Sequence, residues 1–291
     1  MQSSQPLVSV VIPCYNHEKF VQDSIQSVID QTYENIELII IDDGSKDNSV
    51  IKIQEMIESC KKRFTRFEFR SRSNIGLSAT LNEALEWCEG KYFSALASDD
   101  QMLSIKSIVQ VDYLENHPEV QAVMGGVNWI DSSNNIISKR DSSYKEYRFE
   151  DIFLSKQKLY ACTQLSRLDS IKSVGGYKLG CPIEDWYMWL KLAEIGKLVN
   201  LDILLVCYRL HEDNTIKKLD IIYSGMMEIV NEYNSHPLYL KAVKQIVWIK
   251  VASIIKNDKS LGWVFFKSTF EADKMVIFNK NFFRCIRNFL F

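Results

Sequence analysis

The first half of the chain alternates short apolar runs with longer amphipathic stretches. The runs at residues 8–13 and 36–43 are rich in β-branched residues and almost continuously hydrophobic, as expected for parallel strands that are buried on both faces. Between these runs, apolar residues recur at helical spacing on one face, namely Phe20, Val21, Ile25, Val28 and Ile29. This alternation predicts an α/β fold in which helices pack on a doubly wound, mostly parallel sheet.

The alternation continues to about residue 215. It predicts further strands at residues 67–71, 92–98, 120–131 and 204–210, and further helices at 78–88, 104–116 and 184–196. The polar, turn-rich residues 132–145 predict a surface excursion. Beyond residue 216 only helical periodicity remains. We therefore expect an α/β domain over residues 1–215 and a C-terminal helical region over 216–291.

Composition and charge exclude several classes of protein. The 291 residues contain 35 basic and 37 acidic side chains, so no overall field favours nucleic acid as a partner. The seven cysteines are scattered and never spaced as C-x-x-C, which argues against a disulfide framework and against a zinc site. The first residues lack a basic secretion signal, and no apolar run reaches the roughly 18 residues of a membrane span. We therefore expect a cytoplasmic protein.

Three pairs of adjacent acidic residues stand out: Asp42 with Asp43, Asp99 with Asp100, and Glu184 with Asp185. The first two pairs follow predicted strands, at the sheet edge where α/β proteins bind ligands. Neither G-x-G-x-x-G nor G-x-x-x-x-G-K-[ST] occurs, so another device would have to hold any substrate phosphates. Carboxylates at these points either cap turns and helices or ligate a divalent cation, and the pairs alone leave both interpretations open.

The order of three segments resembles glycosyltransferase family 2, whose catalytic domain has the GT-A fold. These segments lie at residues 8–49, 74–100 ("NIGLSATLNEALEWCEGKYFSALASDD") and 175–196 ("GGYKLGCPIEDWYMWLKLAEIG"). The resemblance covers about the first 215 residues and implies an inverting, metal-dependent enzyme. Such an enzyme moves a sugar from a UDP- or dTDP-sugar to a hydroxyl of a glycan acceptor, here a lipid-linked one in surface polysaccharide synthesis. The Q-x-x-R-W element of the polymer-forming members is absent, so we expect one sugar per encounter.

The resemblance also implies a donor site. Tyr15 would stack on the base, Asp43 would hydrogen-bond the base edge, and Asp42 would support the loop. The donor-binding residues implied in this way are Pro13, Tyr15, Asn16, Asp42, Asp43, Asn74, Gly76 and Asp99. Where the family motif ends in alanine-arginine-asparagine, this chain has Thr80, Leu81 and Asn82, so a common basic contact to the donor is missing.

The catalytic assignments follow from the same resemblance. Asp99 would reach sugar or ribose hydroxyls, while Asp100 and His211 would lie at a Mn²⁺ or Mg²⁺ ion on the diphosphate. Asp185 would be the catalytic base and Glu184 would orient the acceptor. Weaker candidates are Trp186, for stacking on a sugar, and Arg209, for contact with the leaving diphosphate.

Two alternative functions remain compatible with the sequence: a nucleotide-sugar-binding protein without catalysis, and a nucleotidyltransferase. The tail leaves a further choice open. Its apolar residues gather on one helical face, with basic residues around it: Phe282, Phe283, Ile286, Phe289 and Leu290. Such a helix either docks on the protein core or lies on anionic lipid at the inner face of the membrane.

Overall fold

The computed structural model describes residues 5–140, 143–211, 219–272 and 280–290. The chain forms two compact units. The first comprises Met1–Phe149 and Gln157–Thr215, and the second comprises Glu150–Lys156 and Ile216–Phe291. The sequence pattern did not predict that residues 150–156 belong to the second unit.

The first unit is built on one sheet with ten strands in the described part of the chain. The strands are β1 Val8–Cys14, β2 Ile36–Asp42, β3 Arg66–Ser71, β4 Tyr92–Ala95, β5 Gln101–Met102, β6 Val120–Ile130, β7 Ile136–Arg140, β8 Lys145–Tyr147, β9 Leu165–Arg167 and β10 Lys197–Arg209. Their order is β3-β2-β1-β4-β9-β6-β10-β5, with β7 beside β6 and β8 beside β10. The long strands pair in parallel, and the short ones β5, β7, β8 and β9 pair antiparallel. The predicted α/β class is confirmed.

Helices cover the faces of this sheet. They are α1 Val21–Ile29, α2 Ser49–Gln54, α3 Ile57–Arg63, α4 Leu77–Trp87, α5 Lys106–Asn116, α7 Leu168–Ser173 and α8 Glu184–Ile195. Helix α4 packs on β1 and β2, whereas α8 packs on β6 and β10. Strands β1 and β2 are buried almost throughout, which explains their continuous hydrophobicity. Both strands end at the sheet edge that carries the polar residues described below.

Residues 132–138 and 143–145 are exposed, in agreement with the predicted surface excursion, but strands within the segment were not predicted. This segment contributes β7 and β8, which extend the sheet beside β6 and β10. Strand β10 likewise begins at Lys197, seven residues before the predicted strand. Short strands of this kind take their structure from a long partner, so their own residues carry little strand signal.

The second unit is helical in its described residues. Its helices are α6 Phe149–Phe153, which begins one residue before this unit, α9 Leu219–Glu232, α10 Tyr239–Asn257, α11 Lys259–Ala272 and α12 Lys280–Leu290. Helices α10, α11 and α12 share a small core with Trp248, Ile255, Phe266 and Cys285 at its centre. Gly262 lets α11 approach α10 closely, because a Cβ there would lie 2.6 Å from Ile255. Among the described helices, none is both long and apolar enough to cross a membrane.

Candidate active site

The loop after β1 is fastened to the loop after β2. Asn16 has a positive φ of 55°, donates its backbone N–H to Ser45 Oγ at 2.9 Å and accepts from Lys46 N at 2.7 Å. His17 donates its backbone N–H to Ser49 Oγ at 2.9 Å. These cross-links hold the two loops in one arrangement at the carboxyl edge of the parallel strands, which is the usual ligand-binding edge of an α/β sheet.

Asp42 shapes the turn that follows β2. The side chain is fully buried, and its Oδ2 accepts from the backbone N–H groups of Gly44 and Ser45, both at 3.2 Å, and from Ser71 Oγ at 3.0 Å. Gly44 has a φ of 77°, and a Cβ there would lie 2.6 Å from Asn74 N. Only glycine fits this point, so the turn brings Asn74 against the end of β2.

Asp43 joins the end of β2 to the start of α4. Its carboxylate is almost buried and accepts from the backbone N–H groups of Ile75 at 2.9 Å and Gly76 at 3.0 Å. Tyr15 lies in the neighbouring loop after β1 with 46% of its surface exposed, whereas Pro13 is half-buried at the end of β1. The sequence-predicted donor residues of this region therefore lie along one sheet edge.

Arg72 is a charged residue of this edge that the sequence reasoning missed. Its guanidinium forms a close ion pair with Asp43, donates to Glu83 Oε2 at 2.7 Å and donates to Thr80 Oγ1 at 2.8 Å. Burial lowers the pKa of Arg72, but its bonds to Glu83 and Asp43 outweigh burial and raise it overall. The signal was available, because a basic residue directly after a strand lies at the same edge as the acidic residues.

Asp99 lies between two histidines. His211 Nε2 is 2.8 Å from Asp99 Oδ2, and His17 Nδ1 is 3.9 Å from Asp99 Oδ1 and 2.7 Å from Ser98 Oγ. One ligand atom from each of His17, Asp99 and His211 lies within 4.8 Å of the others. Burial raises the pKa of Asp99, but the hydrogen bond to His211 and the charges of both histidines hold it below its ordinary value. A charged carboxylate beside two imidazoles is a donor set that fits a divalent cation.

Asp100, which the sequence assigned to the cation, is not among the three residues of this cluster. Its side chain is 2% exposed, and Oδ1 accepts from the backbone N–H of Arg209 at 2.9 Å. Burial, followed by the negative charge of Asp99, raises the pKa of Asp100 well above the ordinary range. The chain turns at Ser98 and Asp99, so the two adjacent carboxyls have different surroundings. Asp99, not Asp100, lies beside His211.

Arg209 supports the turn from inside the protein. The side chain is fully buried, and Nε donates to the carbonyl of Asp99 at 2.8 Å while Nη1 donates to the carbonyl of Asp131 at 2.9 Å. Nη2 pairs with Asp23 at 3.3 Å, and the guanidinium lies 4.6 Å from the centre of the Phe20 ring. These contacts position Asp99, and they differ from the diphosphate contact that the sequence suggested for Arg209.

Glu184 and Asp185 begin helix α8 and are half-buried. Burial and the charge of Asp185 raise the pKa of Glu184 to about 8, and burial also raises the pKa of Asp185. Asp185 Oδ1 accepts from the backbone N–H of Trp186 at 2.7 Å. A carboxylate with a raised pKa is a stronger base than an exposed one, so either residue is suited to accept a proton.

Tyr208 lies on β10, two residues after Val206 and three before His211. Burial, and then nearby negative charges that include those of Asp100, Asp99 and Asp185, raise the pKa of its phenol. Helix α8, which begins with Glu184 and Asp185, packs on β10, the strand that leads to His211. Trp186 and Trp189 are each 4% exposed, and Trp189 Nε1 donates to Gln164 at 2.7 Å. The stacking on a sugar that was suggested for Trp186 is thus incompatible with its burial.

A comparison with known families decides what kind of protein carries this site. The family model described as "Glycosyl transferase family 2" matches residues 9–170, more than half of the chain. The chain belongs to glycosyltransferase family 2. The matched range contains both loops of the sheet edge and the Asp99 turn, and it ends before α8.

Curated relatives of this family 2 glycosyltransferase have similar sequence identities to it. An uncharacterized glycosyltransferase of Haemophilus influenzae is 28% identical over 94% of this chain and 88% of its own length. The chondroitin synthase of Escherichia coli is 29% identical over 87% of this chain. The chain spans only 37% of that synthase, so the activity of the longer protein is not inferred for this chain.

Solved structures share the fold of the family 2 chain. The Staphylococcus aureus TarS fragment 1–349 in complex with UDP-GlcNAc has a TM-score of 0.65 at 17% identity, covering 82% of this chain and 70% of the fragment. The mannosyltransferase PcManGT of Pyrobaculum calidifontis, in complex with GDP-Man and Mn²⁺, has a TM-score of 0.61 at 12% identity, covering 98% and 85%. The GT-A fold implied by the sequence resemblance is confirmed.

The raised pKa of Glu184 predicts a pH-dependent stability for this glycosyltransferase. The pKa of Glu184 is about 8 in the folded protein and 4.5 in an ordinary glutamate, so the folded state holds an extra proton between these values. The free energy of unfolding should therefore fall as pH rises through this window. Glu184→Gln removes this contribution, and its stability advantage over the parent should grow from pH 5 to pH 8 in urea melts. Glu58→Gln, at an exposed residue paired with Lys61, is the control. Parallel curves for the parent and Glu184→Gln would contradict the assignment.

Proposed function

We propose that this protein is an inverting glycosyltransferase that transfers one sugar from a UDP- or dTDP-sugar to a hydroxyl of a glycan acceptor. The observation that carries the proposal is Asp99 between two histidines at the carboxyl edge of the sheet, together with Asp185 at the start of α8, a helix that packs on β10. The complexes of fold relatives with UDP-GlcNAc and with GDP-Man support a nucleotide-sugar donor.

The donor base would lie at the edge formed by the ends of β1 and β2. Tyr15 has an exposed ring for stacking, and an aromatic face suits any base. Asp43 uses its carboxylate to hold the loop at Ile75 and Gly76, and its remaining acceptor capacity would serve the base edge. Asn16 and Asp42 fix the two loops, and the exposed Asn74 borders the same turn. Arg72 would position Asp43 through their ion pair.

Asp185 would act as the general base. It would take the proton of the acceptor hydroxyl while that oxygen bonds to the anomeric carbon and the bond from this carbon to the diphosphate oxygen breaks. Attack from the face opposite the leaving group inverts the configuration of that carbon. Glu184, which is protonated up to about pH 8, could donate a hydrogen bond that orients the acceptor.

Asp99 and His211 would hold a divalent cation, Mn²⁺ or Mg²⁺. The fit rests on the donor set, because the charged Asp99 carboxylate and an imidazole nitrogen lie 2.8 Å apart with a second histidine nearby. When bound, such an ion supplies positive charge that stabilises the departing diphosphate. Arg209 would hold the Asp99 backbone in place for this role.

A screen of nucleotide sugars tests the proposal against its two rivals. The protein would be incubated with UDP-, dTDP- and GDP-sugars and Mn²⁺, and the products separated by ion-exchange chromatography. The proposal expects slow release of a nucleoside diphosphate from at least one UDP- or dTDP-sugar. Tight nucleotide binding without any release would indicate a binding protein. Release of a sugar 1-phosphate would indicate a nucleotidyltransferase.

The acceptor setting that we propose is a lipid-linked glycan of surface polysaccharide synthesis, reached from the inner face of the membrane. Helix α12 supports this setting because its apolar residues divide between two faces. Phe282 and Phe289 pack on the core of the second unit, whereas Phe283 is 62% and Leu290 71% exposed. Helix α11 adds Trp263, which is 51% exposed. Aromatic and aliphatic side chains beside arginines are typical of helices that lie on anionic lipid.

Removing the exposed apolar residues of α12 should abolish membrane association. We expect the parent to co-sediment with vesicles that contain anionic lipid in a salt-sensitive manner, and the double variant Phe283→Ser, Leu290→Ser to remain in the supernatant. The variant should keep its melting temperature, because both side chains are exposed. Ile51→Ser, at an exposed residue of α2, is the matched control. A parent that stays in solution at low salt would contradict the membrane setting.

A further inference from the structure

We propose that His17 is a third protein ligand of the cation, and that the two imidazoles make the site prefer first-row transition metals to Mg²⁺. This inference rests on the proposed function, because it concerns the ion that Asp99 and His211 would hold. It goes further in naming a ligand from the loop after β1 and in setting the class of metal.

The geometry brings His17 to the same point as the other two ligands. One atom each of His17, Asp99 and His211 lies within 4.8 Å of the others, although the residues come from three separate segments of the chain. The segments follow β1, β4 and β10. The sheet thus brings three strand ends together, and each contributes one side chain that can ligate a metal.

Hydrogen bonds within the protein hold the backbone of His17 in place. Its N–H donates to Ser49 Oγ at 2.9 Å, and its carbonyl accepts from Phe20 N at 3.0 Å and Val21 N at 2.9 Å at the start of α1. Asp47 Oδ2 accepts from the next residue, Glu18, at 2.9 Å. A ligand on a fixed backbone loses little conformational entropy on binding, which is the usual requirement for a metal site.

The rings of the two histidines are also packed. Their centroids are 5.7 Å apart at 87°, and the Phe20 ring lies 5.5 Å from His211 and 6.2 Å from His17. Phe20 is in turn covered by the Arg209 guanidinium, which also binds the carbonyl of Asp99. One buried arginine therefore supports all three proposed ligands, as outer groups commonly do around metals.

The ligand types determine the expected metal preference. Mg²⁺ favours oxygen ligands and retains its water, whereas imidazole nitrogen suits Co²⁺, Ni²⁺ and Zn²⁺, with Mn²⁺ intermediate between the two groups. A site with one carboxylate and one imidazole leaves Mg²⁺ competitive. A second imidazole shifts the balance toward the transition metals, so His17 is the residue that sets the preference.

A different role for His17 is a hydrogen bond to Ser98 with no part in metal binding, as its 2.7 Å contact with Ser98 Oγ would allow. Metal binding measured without turnover separates the two roles. Co²⁺ would be titrated into the metal-free full-length protein, with and without UDP, and followed by its visible absorption and by calorimetry. The variants are His17→Asn, His17→Gln and His211→Asn, with His117→Asn, a histidine stacked on Tyr113, as the matched control. Circular dichroism melts would verify that each variant folds.

We expect either His17 variant to weaken Co²⁺ binding about 10-fold or more and to change the absorption spectrum, while Mg²⁺ binding changes little and His117→Asn matches the parent. The parent should bind Co²⁺ at least about 10-fold more tightly than Mg²⁺. If the His17 variants bind Co²⁺ as tightly as the parent and His211→Asn binds it more weakly, His17 is not a ligand, and the proposed site at Asp99 and His211 is retained. If the parent itself binds neither ion, with or without UDP, the inference fails together with the metal part of the proposed function.

Discussion

Replacing Asp185 with asparagine is expected to lower kcat by about 10²–10⁴-fold, the usual contribution of a general base. The substitution keeps the shape of the side chain and its acceptor for the backbone N–H of Trp186, so α8 should begin as it does in the parent. Calorimetric affinity for UDP should stay within a few fold, because the base acts on the acceptor hydroxyl. Burial raises the pKa of Asp185, so the acidic limb of the parent's kcat profile should lie above the ordinary range of aspartate.

The control for this experiment is Asp169→Asn, which changes an exposed aspartate in the first turn of α7. It alters the net charge and a helix N-terminus in the same way, yet it should leave kcat unchanged. Turnover of Asp185→Asn within a few fold of the parent would show that another group accepts the proton. Glu184 would then be the first residue to test, since its pKa is also raised.

Asp99→Asn and Asp100→Asn are expected to differ sharply although the residues are adjacent. Asp99→Asn should reduce kcat/KM by about 100-fold or more, because it removes the charged member of the proposed metal site. Asp100→Asn should retain at least about a tenth of the activity. Burial raises the pKa of the Asp100 carboxyl, so the loss of its charge should cost little, and an amide oxygen can still accept from Arg209 N.

Donor turnover at saturating and limiting Mn²⁺ measures this contrast, with thermal melts to verify folding. Asp99→Asn should also lose its response to Mn²⁺, while Asp100→Asn should keep the Mn²⁺ dependence of the parent. If Asp100→Asn lost more activity than Asp99→Asn, Asp100 would be the cation ligand, as the sequence motif alone suggested.

The sequence predicted the elements that carry the site better than the orientation of its side chains. Strands β1 and β2 are continuous β-branched runs whose two faces are covered, so hydrophobicity alone identified them. Strand β9 covers only Leu165–Arg167 and pairs with β4 and β6, so its structure comes from those partners. A segment of three residues shows no periodicity that could have predicted it.

The different surroundings of Asp99 and Asp100 could not be predicted from sequence. Both follow the same strand, and the difference arises because the backbone N–H of Arg209 captures one carboxyl while His211 contacts the other. Those partners lie 109 and 112 residues further along the chain. The sequence suggested a diphosphate contact for Arg209 because its burial could not be foreseen. That burial depends on Asp23 on α1 and on Phe20 just before this helix, both far away in the sequence.

His17 was missed for a related reason. It follows β1 in a stretch whose resemblance to the family emphasises Tyr15 and Asn16, and a single histidine has no spacing that indicates a metal. The signal lay in topology, since β1 and β4 are parallel neighbours and their following residues meet at one edge. Considering every polar residue after a parallel strand would have grouped His17 with Asp99.

The stereochemistry of donor cleavage tests the central claim most directly. The full-length protein would be incubated with Mn²⁺ and the UDP- or dTDP-sugar that the screen identifies, with a glycan acceptor or with water, and the product followed by proton NMR from the first minutes. We predict that the first-formed product has the anomeric configuration opposite to that of the donor, and that Asp185→Asn does not form it. A product that retains the donor's configuration, or inversion that persists at the parent rate in Asp185→Asn, would contradict the assignment of Asp185 as the base of an inverting glycosyltransferase.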